Sequence, residues 1–93
     1  MTLQQLKYAI TVAQTGTITE AAEKLYISQP SLTNAIHELE KEMNIEIFTR
    51  TNKGIIVSKD GEDFLGYARQ VLEQAEVLED KYKGGGSCYN IFF

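Results

Sequence analysis

Between Ile18 and Met43 the chain sets two helical patterns on either side of a short turn, Tyr26-Ile27-Ser28. The earlier of the two is expected from about Glu20 to Tyr26, with Thr19 as its N-cap and Ala21, Ala22 and Leu25 as its inner face. The later one is expected to open on Ser28 as cap, with Gln29 and Pro30 in its first turn. A proline N–H is not missed there, because the first-turn amides have no intrahelical partner. Leu32, Ala35, Ile36, Leu39 and Met43 then follow at steps of 3, 1, 3 and 4, which is one apolar face. Asn44 suits the left-handed residue that closes such a helix. Alanines at 21 and 22 permit close approach, and Leu25, Ile27, Leu32 and Ala35 lock the pair together. The arrangement is a helix-turn-helix, whose second helix projects from the body and fits a DNA major groove of about 12 Å.

The segments on either side complete a small mainly α domain. Thr2 is expected to cap a first helix, with Gln5 three residues on as in a capping box, and Leu3, Leu6, Ile10 and Ala13 at helical spacing. Gly16 ends it. Ile45 to Thr49 and Ile55 to Val57 are short β-rich runs around Arg50-Thr51-Asn52-Lys53-Gly54, read as a β-hairpin. From Ser58 a long helix is expected to about Lys83. Phe64, Ala68, Val71, Ala75, Leu78 and Tyr82 step along it by 4, 3, 4, 3 and 4, a coiled-coil seam. Such a helix of 26 residues spans about 39 Å, more than a domain this small can cover, so the seam is assigned to a partner chain. Leu65 and Leu72 form a second stripe that docks the helix on its own domain. Residues 84 to 93, beginning Gly84-Gly85-Gly86-Ser87, read as a flexible tail and a non-native or altered end; Cys88 within it is taken as incidental.

Charge and composition narrow the function. The 93 residues carry a net charge of −4. Residues 1 to 58 hold five basic and six acidic side chains, and residues 59 to 83 hold four basic and seven acidic. The excess acid is therefore concentrated on the long helix, away from the helix-turn-helix. No strongly basic patch exists, so weak non-specific nucleic-acid binding is expected. No run approaches the roughly 18 apolar residues of a membrane span, and Met1 to Gln5 have neither the basic start nor the apolar stretch of a signal peptide. With one cysteine and no internal disulfide, a cytoplasmic location is expected. There is no metal-ligand pattern, no phosphate-binding glycine loop and no nucleophile–histidine pair. Catalysis is not expected, and neither a cofactor nor a metal. A winged helix serving only as a protein-assembly surface is the competing class, and the acidic balance permits it.

The outer face of the third helix is polar: Gln29, Ser31, Thr33, Asn34, His37, Glu38 and Lys41. Gln29 and Asn34 are of the type that pairs with an adenine edge. Thr33 can reach a base edge or set its methyl against a thymine methyl, and Pro30 offers apolar contact of the same kind. Ser28, Ser31 and the helix N-terminus suit phosphates. His37, the one histidine, lacks partners for a metal or catalytic role and reads as a surface residue facing phosphate. Arg50 and Lys53 fall at or near the hairpin, where a cation can reach the minor groove or the backbone.

Leu6, Ala13, Gly16, Thr19, Ala21-Ala22, Leu25, Ser28-Gln29-Pro30-Ser31-Leu32-Thr33, Ile36, Leu39-Glu40, Phe48-Thr49-Arg50 and Gly61 together resemble the N-terminal signature of the LysR-type transcriptional regulators. The resemblance covers about residues 1 to 82. It implies a winged helix-turn-helix, three helices plus a two-stranded β wing, followed by a long linker and dimerisation helix. It implies a sequence-specific DNA-binding domain that acts as a homodimer on a pseudo-palindromic site in double-stranded DNA, through antiparallel pairing of the linker helices, with tetramers in the full-length protein. Recognition carried over from the family falls on Gln29, Pro30, Thr33, Asn34 and Lys53. An effector-binding domain would follow at the C-terminus and hold the small-molecule effector, so this chain is expected to be an excised or truncated DNA-binding part. On this reading residues 1–58 are the DNA-binding domain, 59–83 the linker helix and 84–93 the tail. Three positions depart from the pattern: Asn34 where many relatives carry a basic residue, Ala9 where an aromatic is common, and Asn44 for a frequent glycine, a place asparagine tolerates.

Overall fold

The computed structural model describes residues 1 to 83; the expected tail from Gly84 and its Cys88 lie outside the described residues. Four helices and one hairpin follow in the order α1 (Leu3–Thr15), α2 (Ile18–Leu25), α3 (Gln29–Met43), β1 (Phe48–Thr51), β2 (Gly54–Val57) and α4 (Lys59–Tyr82). This is the expected mainly α winged helix-turn-helix with a long final helix.

The helix ends show why the chain divides here. The Thr2 hydroxyl accepts from the Gln5 N–H at 3.0 Å, and the Gln5 side chain accepts from the Thr2 N–H at 3.1 Å, so two orphan amides are satisfied reciprocally. Gly16, at φ 82, closes α1. The second helix starts earlier than expected. Thr17, not Thr19, is its cap, its hydroxyl accepting from the Glu20 N–H at 3.1 Å. Tyr26 is not its last turn but the left-handed residue after it, at φ 58. Ser28 caps α3 by accepting from Ser31, and Asn44 closes α3 at φ 58, both as the sequence indicates.

The hairpin is displaced from its expected position. Ile45 to Ile47 are not strand; β1 begins at Phe48, and Arg50 and Thr51 belong to it. The cause is Glu40, whose carboxylate reaches across from α3 and accepts from the N–H groups of Ile47 at 2.8 Å and Phe48 at 3.1 Å. Those amides are thereby withdrawn from any sheet ladder. The strands pair antiparallel, Phe48 with Val57 through to Thr51 with Gly54, leaving Asn52 and Lys53 as the turn. The Thr51 hydroxyl accepts from Lys53 at 3.2 Å and donates to the Gly54 carbonyl at 2.8 Å. Gly54 takes φ 121 and lies against the Gly16 carbonyl, which also accepts from the Ile55 N–H at 3.2 Å. The wing is thus tied at its root to the turn between α1 and α2.

One core unites these elements: Leu6, Ala9 and Val12 of α1, Ala21 and Ala22 of α2, Leu32, Ile36 and Leu39 of α3, Ile47 and Phe48, and Leu65 and Ala68 of α4. Ala9 is wholly buried in it, and the neighbouring Tyr8 packs against the same cluster. The start of α4 is pinned hard to the domain. Ser58 caps it by accepting from the Gly61 N–H, its hydroxyl donates to the Glu46 carbonyl, and its N–H donates to the Ile47 carbonyl at 2.8 Å. A Cβ on Gly61 would stand 2.3 Å from that Ile47 carbonyl oxygen, so no side chain fits at this crossing.

The face of α4 turned to its own domain is Gly61, Leu65 and Ala68, with Leu72 half-buried beyond them. Leu65 and Leu72 were expected there. Ala68 was not: it is only 3% exposed, and Phe64 also packs on the core, so two of the six expected seam residues are already covered within the chain. The apolar side chains left open on α4 are Tyr67, Val71, Val77, Leu78 and Tyr82, with Ala75 half-buried. Among the described residues no helix is long and apolar enough to cross a membrane.

Candidate nucleic-acid interface

The site is built where α2, α3 and the wing converge. α3 follows α2 through the Tyr26 turn, in which the Ile27 N–H donates to the Ala22 carbonyl at 3.1 Å. That bond, with Leu32 and Ile36 sunk in the core, leaves the opposite side of the first turns of α3 facing outward. Gln29, Pro30 and Asn34 are exposed there, and Thr33 is half-buried between them.

A broad open hollow lies against this face. It is lined by Gln29, Pro30, Thr33 and Asn34 of α3, by Arg50, Thr51, Gly54 and Ile55 of the wing, and by Thr17, Ile18 and Thr19 at the start of α2. Five residues singled out from the sequence, Gln29, Pro30, Thr33, Asn34 and Arg50, therefore meet around one concave surface. Thr17, Ile18 and Thr51 belong to the same wall and were not singled out. The signal for Thr17 was present: Thr17 and Glu20 stand at the spacing of a helix start, while the cap had been placed at Thr19.

The other expected contacts lie around this hollow rather than in it. Ser28 and Ser31 are exposed and bond to each other, the Ser28 hydroxyl donating to the Ser31 hydroxyl at 2.9 Å. Ser28 also serves as the cap, its exposed hydroxyl oxygen accepting from the Ser31 N–H at 3.2 Å. Lys53 sits at the tip of the wing, exposed. His37, about two turns along α3, is exposed and lines a second, smaller hollow with Glu40, Glu46 and Arg50. Among the described residues no group of three or more His, Cys, Asp or Glu could hold a metal ion.

The chemistry of the larger hollow is that of a reading surface. Its rim carries two side-chain amides, each with an adjacent donor and acceptor, four threonine hydroxyls with methyl groups, a guanidinium, and the starts of α2 and α3. Fixed polar groups of that kind at a helix start suit base edges and phosphates together.

Comparison with known proteins agrees with that reading. Residues 3–62 match the model of the bacterial regulatory helix-turn-helix protein, lysR family. The chain is 40% identical over 77 residues to the HTH-type transcriptional regulator ClcR of Pseudomonas putida, covering 83% of this chain and 26% of ClcR. Among solved structures it resembles the CbnR DNA-binding domain in its DNA complex, at 34% identity and TM-score 0.84, covering 94% of this chain and 100% of that one. It resembles equally the BenM DNA-binding domain in complex with benA site 1 DNA, at 31% identity and TM-score 0.84, covering 89% and 96%. The chain spans about a quarter of the length of the curated regulators it matches.

Proposed function

The chain belongs to the lysR family of bacterial regulatory helix-turn-helix proteins, and from that premise we propose that it reads double-stranded DNA for a transcription regulator. The observation that carries the proposal is the hollow shared by the first turns of α3 and the wing, with four exposed or half-exposed α3 side chains and Arg50 around it. In this reading α3 enters the major groove. Gln29 and Asn34 each pair with an adenine edge, and Pro30 and Thr33 set apolar surface against thymine methyls. Arg50 and Lys53 hold the backbone or minor groove from the wing, while Ser28, Ser31 and the starts of α2 and α3 hold phosphates. Residues 1–58 form the DNA-binding domain and 59–83 the linker arm.

The acting species is a homodimer through the open apolar face of α4, on a pseudo-palindromic operator whose half-sites are one helical turn or a multiple apart. The full-length regulator is a tetramer whose effector binds outside this chain. The role is non-catalytic and is exercised in the cytoplasm.

The test compares two substitutions on an operator and on random duplex. Gln29→Ala costs about 1–3 kcal/mol on the operator and relaxes choice at one base position, with little change on random DNA. Equal losses on both duplexes would remove Gln29 from base reading.

A further inference from the structure

The Glu40 carboxylate stands where a DNA-reading surface has least use for negative charge. Half-buried on α3, it lines the smaller hollow together with His37, Phe48 and Arg50. An anion there opposes the approach of phosphate. Its Oε2 accepts from the N–H groups of Ile47 and Phe48, at 2.8 and 3.1 Å. Both residues are buried, so water is a poor substitute for that oxygen. Among the described residues no hydrogen bond but that of Glu40 joins α3 to either strand of the wing. Ile36 and Phe48 share the core, but burial of that kind is not directional. Phe48 opens β1, and Arg50, two residues on, projects from the same face of the strand. Arg50 lines both hollows. The other strand is moored elsewhere: the Ile55 N–H donates to the Gly16 carbonyl at 3.2 Å, in the turn between α1 and α2.

We infer that Glu40 is a positioning residue of the DNA interface: it fixes the wing against α3, and so sets where Arg50 and Lys53 stand relative to the side chains that enter the major groove. The inference rests on the DNA-reading role proposed above and adds the residue that holds the two halves of the surface in one geometry. The bond to Gly16 holds β2 to the α1–α2 turn and leaves the start of β1 to Glu40. Without the carboxylate two adjacent buried amides lose their acceptor, and they regain a partner only if the start of β1 moves toward water. Arg50 moves with it, out of step with phosphates that α3 has already positioned. The sign of the effect separates this role from that of an idle surface charge. Removing an idle carboxylate lessens the net charge of −4 and tightens DNA binding. Removing a positioning carboxylate weakens it.

Two readouts on the full chain test this. In a Cys88→Ser background, spin labels at Glu38→Cys on α3 and Asn52→Cys in the wing turn, both exposed positions, report the distance between the two elements without DNA. One narrow distribution is expected for the parent and for Glu40→Gln, whose amide oxygen still accepts from both N–H groups, and a broadened one for Glu40→Ala. On a random-sequence duplex at about 50 mM salt, Glu40→Ala binds about tenfold more weakly than the parent and Glu40→Gln within about threefold of it. Lys53→Ala, which flattens the salt slope of the parent by about one unit, leaves the slope of Glu40→Ala where it is. Glu40→Asp, one methylene shorter in reach, takes the place of Glu40→Ala if circular dichroism shows the latter unfolded. A distribution as narrow in Glu40→Ala as in the parent, or binding that is unchanged or tightened, overturns the role of Glu40 while leaving DNA reading standing. A parent chain that binds no duplex overturns the DNA reading and the role of Glu40 with it.

Discussion

α3 and α4 are both amphipathic and both bury one side in the same core, yet their outer faces differ in kind. The open side of α3 is polar and concave with the wing: amides, hydroxyls and a guanidinium around one hollow. The open side of α4 is a convex apolar stripe ending in two exposed aromatics. Burial explains neither difference, since each helix has already satisfied its own domain. What remains on the surface differs in the kind of partner it suits. Directional polar groups suit base edges and phosphates, whereas a repeating apolar stripe too long for its own domain suits another helix.

The comparison breaks most completely where the two regions are joined. Gly61→Ala places a Cβ against the Ile47 carbonyl, and the start of α4 must shift. A loss of about 3 kcal/mol in urea unfolding is expected, toward the upper end for overpacking, because the obstacle is backbone rather than a flexible side chain. Both functions should fall together.

A substitution in the stripe should separate them. Leu78 is 60% exposed on the described chain, so Leu78→Glu leaves the fold intact by circular dichroism while costing about 2 kcal/mol of dimer stability in sedimentation. Affinity for an isolated half-site should be unchanged. The smallest effect belongs to the wing tip. Lys53→Ala should weaken binding on every sequence alike and flatten the salt dependence by about one unit, with specificity intact. An unchanged slope would take Lys53 out of the backbone clamp.

The parts of this fold that were legible in the sequence are those set by local rules. Thr2 with Gln5, Gly16, Ser28 before Pro30, and Asn44 each announce a helix end through a side chain or a permitted φ, and each stands where it was expected. The errors fall where a distant contact decides. Ile45 to Ile47 have strand composition, but Glu40 takes up the Ile47 and Phe48 amides from another helix. Phe64 and Ala68 fit a coiled-coil step as well as any residue on α4, but the domain reaches them first. Tyr67 was passed over because it breaks the strict 3–4 repeat, although its open position beside Val71 places it in the stripe. Tyr26 is of a different kind. A tyrosine at φ 58 is an uncommon helix end, because only small or short polar residues take the left-handed conformation cheaply, and periodicity gives no warning of it. The α3 face was legible because its residue types converge within one turn. Thr17 and Thr51 reach the same hollow only through tertiary packing.

The central claim is that this domain reads sequence as a two-fold pair, and selection from a random duplex library at about 50 and 200 mM salt tests it most directly. The account predicts an enriched motif with dyad symmetry, adenine–thymine pairs at the positions facing Gln29 and Asn34, and an affinity that falls steeply between the two salt concentrations. Enrichment of no motif at either salt, or of a motif without symmetry, would contradict it.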